Sequence, residues 1–469
     1  MDHLAEPLSP MAQCLDSSYL WLYVLGVLEF EVPVTRLHLK SFLNSLLSIP
    51  RFTSILVRDK SGVRRWERVE VKLEDHIIEP TISWDSMSKD KCFSDYLSNI
   101  ATPQLPHSKP LWEVHVINHS TNNTTLVFKV HHSIGDGYTL MGVLLSCLER
   151  ADDPSLPITF PSLKSSKTTL SDHHQASLRR IPSFVSTIFT SIKDFGWSLL
   201  KSTLHEDDKT PIRSAHEGVE FQPATLSSIT FRVDHIRDIK SKLGVTVNDV
   251  ITGIIFYGIR LYMQDLDYTS RAKKCTLLPM LNTRSVQSYE TAEKNTKMTE
   301  RKGTWGNKFT YTHVSVPTLT DTRVSDPLQF VWEAHHTMKT KKKNHMVYSL
   351  ISMFLQMKHQ FNGPEAVAKH FHKTIRNSSL FISNMVGPLD QLAMADLPIK
   401  SLYFTVSGVP QSVVITIISY MGMLRVTTRA EEGFIDEKKL ASFMNDAFEV
   451  IHKAAMEIPD KTKSWKKLY

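Results

Sequence analysis

A chain of 469 residues, 41% hydrophobic and 22% charged, has a globular balance and room for two domains of the usual size, about 100–200 residues or more each. The formal net charge of +7 suits an anionic ligand or an anionic membrane surface. No basic block interleaved with aromatics supports nucleic acid, and the longest lysine run is Lys341-Lys342-Lys343.

Cys14, Cys92, Cys147 and Cys275 are too far apart in the chain for a zinc knuckle or a redox pair, so buried thiols in a reducing compartment and no metal site are expected. Asp2 and Glu6 stand where a secretory leader would be apolar, so no signal peptide is expected. No stretch of about 18 clean apolar residues predicts a conventional membrane span, which disfavours multi-span membrane enzymes.

In chain order, Tyr19–Val32 reads as a strand and Val34–Leu47 as a helix, followed by strands near Phe52–Val57 and Trp66–Val71. Trp112–Ile117 and Thr125–His131 form a predicted hairpin around the polar turn His119–Asn123. Asp136 opens an apolar helix to about Leu148. The Pro-, Ser- and Lys-rich stretch Ala151–Thr169 closes a first domain, 1–155. Residues 156–223 are a linker or crossover holding an amphipathic helix over 181–200, with two readings open: an interfacial membrane helix, or a helix packed on the second domain. The second domain, 224–469, mixes helices and strands. Thr246-x-x-Asp249 resembles a capping box for a helix to about Met263. Val413–Tyr420 and Met423–Thr428 form a hairpin turned by Met421-Gly422, and Glu437–Met456 is a final amphipathic helix. Periodicity therefore gives a mixed α/β (α+β) protein in two halves.

The segment that carries chemistry is His131-His132-Ser133-Ile134-Gly135-Asp136-Gly137, where a strand ends and a helix begins. Leu126, Phe128 and Val130 share one strand face by period two, and His132 continues it while His131 points to the opposite side. A neutral histidine at a strand end is a good general base, because an alcohol attacking a thioester must lose its proton, and such assistance is worth roughly 10²–10⁴-fold in rate. For Asp136 two roles stand: orienting the imidazole, or an ion pair with an arginine that holds the loop. Gly135 and Gly137 permit a tight backbone. No Gly-x-Ser-x-Gly element is present for a serine hydrolase.

With these residues in hand, the sequence resembles the wax ester synthase/diacylglycerol acyltransferase family, particularly its plant members. The likeness runs through Glu6-Pro7-Leu8-Ser9-Pro10, Pro110-Leu111-Trp112-Glu113, the HHxxxDG segment and Thr246-Val247-Asn248-Asp249-Val250. It continues through Leu281-Asn282-Thr283-Arg284, Gly306-Asn307, Ser383-Asn384-Met385-Val386-Gly387-Pro388 and Ser419-Tyr420-Met421-Gly422, in family order.

The resemblance implies a two-domain CoA-dependent acyltransferase fold, similar to chloramphenicol acetyltransferase, with a tunnel between the halves. His132 would be the base at its middle, Arg284 the ion-pair partner of Asp136, and Asn248 and Gly137 substrate-side groups. For Asn248, capping of a helix beside Asp249 is the competing reading. The implied reaction joins a long-chain acyl-CoA to a fatty alcohol, giving wax ester, with triacylglycerol from diacylglycerol as a second product. Acyl-CoA is then a substrate and no cofactor is expected. The implied place is the endoplasmic reticulum membrane surface on its cytosolic face, with the plasma membrane as the alternative.

Two other readings stay open. A glycerolipid acyltransferase could use His131 in an HxxxxD pattern, although the further glycine- and arginine-containing blocks of those enzymes are missing. A lipid-binding protein without turnover could keep the same fold. Asp194-Phe195-Gly196-Trp197 is similar to the DFGWG of plant soluble acyltransferases, but it lies inside the interdomain helix and ends in Ser198, so it is read as coincidence.

Overall fold

The fold is taken from a computed structural model that describes residues 6–60, 64–82, 89–119, 122–161, 180–284, 305–322, 326–343 and 345–459. Residues 162–179 of the linker, residues 120–121 of the first hairpin turn and the side chains of 180–190 lie outside the described residues.

Two seven-stranded sheets form the frame. In the first, Ile77–Ile78 pairs with Trp112–Asn118 in parallel, and antiparallel pairing then leads through Thr124–His131, Tyr23–Phe30, Leu397–Ser407 and Leu392–Met394 to Glu149–Arg150. The second sheet runs from Phe309–Tyr311 through Thr276–Asn282, Leu380–Met385, Val413–Tyr420 and Met423–Glu431 to Ala224–Arg232, with Val314–Ser315 also on Thr276–Asn282. Its three-strand core, Thr276–Asn282, Leu380–Met385 and Val413–Tyr420, is parallel. Central strands of this kind read as continuous apolar runs, as Val413-Val414-Ile415-Thr416-Ile417-Ile418 does.

Local sequence explains the elements closest to the site. The antiparallel strands Tyr23–Phe30 and Thr124–His131 lie in register with Tyr23 opposite His131. The helix Val247–Leu266 starts on a complete capping box, with Thr246 Oγ1 accepting from Asp249 N and Asp249 Oδ2 accepting from Thr246 N. That helix is buried along most of its length, from Asp249 to Met263, which accounts for its apolar character. The hairpin turn has positive φ at both Met421 and Gly422, the mirror-image turn that matches strand twist. Among the described residues, no single helix is long and apolar enough to cross a membrane.

Chain order and architecture differ in one respect. Leu392–Met394 and Leu397–Ser407, within the stretch assigned to the second domain, belong to the first sheet. The sequence splits at a linker, but the first sheet takes two strands from the second half. The crossover strand Leu397–Ser407 sits beside Tyr23–Phe30, and Phe404 O accepts a hydrogen bond from Thr416 of the second sheet. A second clip comes from the helix Lys89–Ala101, whose Ser94 and Ser98 hydroxyls accept from Leu226 N and Ala224 N at 3.0 and 2.9 Å.

The described part of the helix Arg180–Thr203 packs inward through Ser191, Phe195, Ser198 and Ser202 and leaves Ile192 and Trp197 exposed. Its end is tied down by a buried pair, Lys201 with Asp207, whose carboxylate also accepts from Thr276 N and Ser379 Oγ at 2.6 and 2.7 Å. This segment is therefore a strap that lies against the helix His345–Arg376, with the Phe195 and Phe354 ring centroids 6.3 Å apart, and that is anchored at its end to the second sheet.

Candidate active site

His132 follows the last residue of the strand Thr124–His131 and extends the face occupied by Phe128 and Val130. Its backbone N–H donates to Leu22 O at 2.8 Å. The ring is half-buried and lines a cavity of about 180 Å³ between the two sheets, together with Leu22 and Val406 of one half and Met280, Phe381 and Asn384 of the other. Phe309 meets the imidazole edge-on, 5.7 Å between ring centroids.

The ring is held by Asn307. Asn307 Nδ2 donates to His132 O at 2.9 Å, and Asn307 Oδ1 lies 3.0 Å from His132 Nδ1. The first bond orients the amide, since only its nitrogen can donate to a carbonyl. The oxygen then faces Nδ1, so Nδ1 must carry the proton and Nε2 the lone pair. Nε2 has no protein hydrogen-bond partner among the described residues. Desolvation pushes the His132 pKa below the ordinary imidazole range, opposed by the Asp136 charge and by the Asn307 bond. A neutral ring with a free Nε2 lone pair can accept a proton.

His131 does not share this cavity. It is 2% exposed, meets Tyr23 edge-on and takes Ser133 N–H on Nδ1 at 3.2 Å, with Ser133 Oγ 2.7 Å away. Burial drives its pKa down to about 4. The parity of the strand separates the two histidines, one toward the cavity and one into the core of the first half.

Asp136 caps the helix Gly137–Ser146, with Oδ1 accepting from Thr139 N at 3.0 Å. Its Oδ2 accepts from Arg284 Nη1 at 2.7 Å and from Lys308 N at 2.8 Å. Both charged side chains are nearly inaccessible, 3% for Arg284 and 7% for Asp136. Arg284 also donates to Thr139 Oγ1 and Gly306 O and lies over the Tyr138 ring. These bonds join the loop after His132 to the strand ends of the second half, and no Asp136–His132 hydrogen bond is present among the described residues. Gly135 is required sterically, since a Cβ there would sit 2.7 Å from Thr139 Cγ2.

Asn248 is exposed and accepts from Asn384 Nδ2 at 2.9 Å through its Oδ1. Asn384 lines the His132 cavity, so Asn248 touches it at one remove. Its neighbour Asp249 completes the cap and lies 2.8 Å from His335 Nδ1.

Gly137 sits at a junction. It lines the His132 cavity and also an apolar chamber of about 100 Å³ roofed by Phe42 and Leu46 of the helix Arg36–Leu47 and by Leu140 and Leu144 of the helix Gly137–Ser146. The chamber floor is strand face: Val24, Gly26, Leu28, Phe128 and Val130. A Cβ on Gly137 would come within 3.2 Å of Met385 Sδ, the other residue common to both spaces. On its other side the cavity shares Leu281, Asn282, Arg284 and Phe309 with an outer groove of about 1240 Å³. His132 thus stands between a small apolar chamber and a larger, more polar groove. Among the described residues, no group of three His, Cys, Asp or Glu could hold a metal ion.

Asn307 was the residue that sequence reasoning left without a role. It stood in the chain only as part of Gly306-Asn307, and its partner is 175 positions away.

Comparison with known proteins places these features. Residues 20–251 match the sequence model described as the wax ester synthase/diacylglycerol acyltransferase catalytic domain, and residues 305–452 match the C-terminal domain of the same family. Wax ester synthase/diacylglycerol acyltransferase 4 of Arabidopsis thaliana is 27% identical, covering 98% of this chain and 92% of the relative. The plant's protein numbered 1 in that series is 28% identical, covering 98% and 96%. Among solved structures, the wax ester synthase/diacylglycerol acyltransferase of Marinobacter aquaeolei VT8 superposes with a TM-score of 0.59 at 15% identity, covering 96% and 99% of the two chains. The starter condensation domain of rhizomide synthetase, solved with C8-CoA, gives 0.56 at 11% identity, covering 97% and 94%. At those identities the structural likeness speaks to the fold alone.

Proposed function

Since this chain belongs to the wax ester synthase/diacylglycerol acyltransferase family, and is an acyltransferase of that family, we propose that it moves a long-chain acyl group from acyl-CoA to a fatty alcohol, making a wax ester, with His132 as general base. Diacylglycerol is the second acceptor in this reading, giving triacylglycerol. The observation that carries it is the placement of His132: a ring locked by Asn307, Nε2 free, between an apolar chamber and an outer groove.

The steps follow from that geometry. The acceptor hydroxyl gives its proton to His132 Nε2 as its oxygen attacks the thioester carbon. A C–O bond forms, the tetrahedral oxyanion collapses, and the C–S bond breaks. The departing thiolate takes the proton back from the imidazolium, which restores the neutral ring. Asn307 holds the tautomer throughout. Asp136 and Arg284 act on the loop: their pair keeps the strand-to-helix turn against the second half. The reaction belongs at the cytosolic face of the endoplasmic reticulum in this reading, because acyl-CoA and lipid acceptors meet there.

Expression of wild type and His132→Ala in cells lacking neutral-lipid synthesis, fed with fatty alcohol, tests it. Wax ester from the wild type and none from folded His132→Ala is the expected result. Equal product from both removes His132 as the base. Triacylglycerol in place of wax ester reverses the order of acceptors.

A further inference from the structure

We propose that the outer face of the helical segment 345–362 docks on a phospholipid surface carrying anionic lipids, and that alkyl substrates pass from that surface through the adjoining groove to His132. The segment is the first part of a long helix, His345–Arg376, broken where Gly363 takes φ +77° ahead of Pro364.

Its water-facing stripe is unusual. Met353, Met357 and Phe361 follow each other at four-residue spacing and are 53%, 51% and 76% exposed. The exposed positions beside them are Ser349, Ser352, Gln356, Gln360 and Asn362, all uncharged. An ordinary surface helix turns charged groups to water. Beyond the break that pattern returns, with Glu365 and Lys369 exposed.

Charge points to the partner. From Ala334 to Pro364 the chain has no Asp or Glu, while Lys339, Lys341, Lys342, Lys343 and Lys358 fall in the same span, Lys341 being paired with Asp194 at 3.2 Å. A bulky apolar stripe with basic residues near it is the composition of a helix lying in a bilayer interface, strengthened by anionic headgroups. Within the span itself no acidic side chain is offered with which a protein partner could fix register.

The position supplies the purpose. The same helix walls the outer groove through Ile351, Met353, Leu355 and Gln356, and the opposite wall includes Asn282, Arg284 and Phe309, which also line the His132 cavity. Met353 belongs both to the exposed stripe and to the groove lining, so the groove opens at the stripe. That alkyl chains use the path rests on the acyl-transfer reading; the docking itself does not.

The test needs no turnover, which keeps its failure separate from a failure of the acyl-transfer reading. The purified full-length chain is sedimented with vesicles of phosphatidylcholine alone and of phosphatidylcholine with phosphatidylserine. Wild type is expected to sediment with the mixed vesicles, and less so in high salt. The variant Met353→Glu/Met357→Glu/Phe361→Glu, whose sites are exposed, is expected to melt like wild type and to bind at least roughly tenfold more weakly. A milder Met357→Gln/Phe361→Gln variant should show the same direction if the triple does not fold. The variant Ile192→Glu/Trp197→Glu, on the interdomain strap, should bind like wild type. Wild-type binding by both stripe variants, loss of binding only with the strap variant, or no vesicle binding by wild type would each overturn the proposal.

Discussion

In the proposed reaction His132 acts as a base only while it is neutral, and its surroundings favour that form. Its pKa lies below the ordinary value of 6.5, with desolvation the main cause. The acid limb of kcat/KM should therefore fall below pH 6.5, with activity lost as pH drops through it. Asn307→Asp puts a carboxylate beside Nδ1, which favours the imidazolium, so the limb should move to higher pH. A limb that does not move would place Asn307 outside the control of this ring. Asp136 and Arg284 form a pair with both partners buried, so removing either leaves a charge without its counterpart, at a cost of about 3–5 kcal/mol. Asp136→Ala and Arg284→Ala should each lower thermal stability and activity, and the double variant should be less damaging than the sum. A strictly additive pair, measured by denaturant unfolding, would contradict that coupling.

At the scale of elements, the strand face that ends in His132 also builds the chamber beside it. Phe128 and Val130 come from that strand, and Val24, Gly26 and Leu28 from its neighbour in register. Gly26 is the thin point of the floor, where an added Cβ meets nothing within 4 Å. Gly26→Leu should fill chamber space without strain, keep the melting temperature at or above wild type, and shift product toward shorter chains. The measurement is ester chain-length distribution from mixed acyl-CoAs, and an unchanged profile would exclude the chamber from chain recognition. Most of this was legible locally: the helix and hairpin around the histidines, the capping box at Thr246 and the final helix Glu437–Met456 follow from periodicity and cap residues. Pairings between distant segments were not. Nothing local in Leu397–Ser407 says that it joins Tyr23–Phe30, and nothing in Gly306-Asn307 says that the amide reaches His132. Those contacts are fixed by how two sheets meet, which a one-dimensional pattern does not carry.

Across the whole molecule, several histidines are buried in the neutral form. Burial lowers His131 and His370 to about 4 and His313 to about 3. The unfolded chain, with histidine near 6.5, binds more protons through that window, so stability falls as pH drops from 6.5 toward 4. At about 1.4 kcal/mol per pH unit between the two values, His131 alone removes about 3 kcal/mol. Thermal melting should decline as pH falls from 6.5 toward 4; a melting temperature constant down to pH 4 would contradict these burials.

The central claim, that one histidine of the doubled pair carries proton transfer, is tested most directly with purified protein. Ester formation from a long-chain acyl-CoA and a fatty alcohol is measured for wild type, His132→Gln and His131→Gln, each checked for folding by its melting curve. A loss of roughly 10²–10⁴-fold in kcat with His132→Gln, and a far smaller change in kcat with folded His131→Gln, is the predicted result. Near-normal turnover by folded His132→Gln would contradict it.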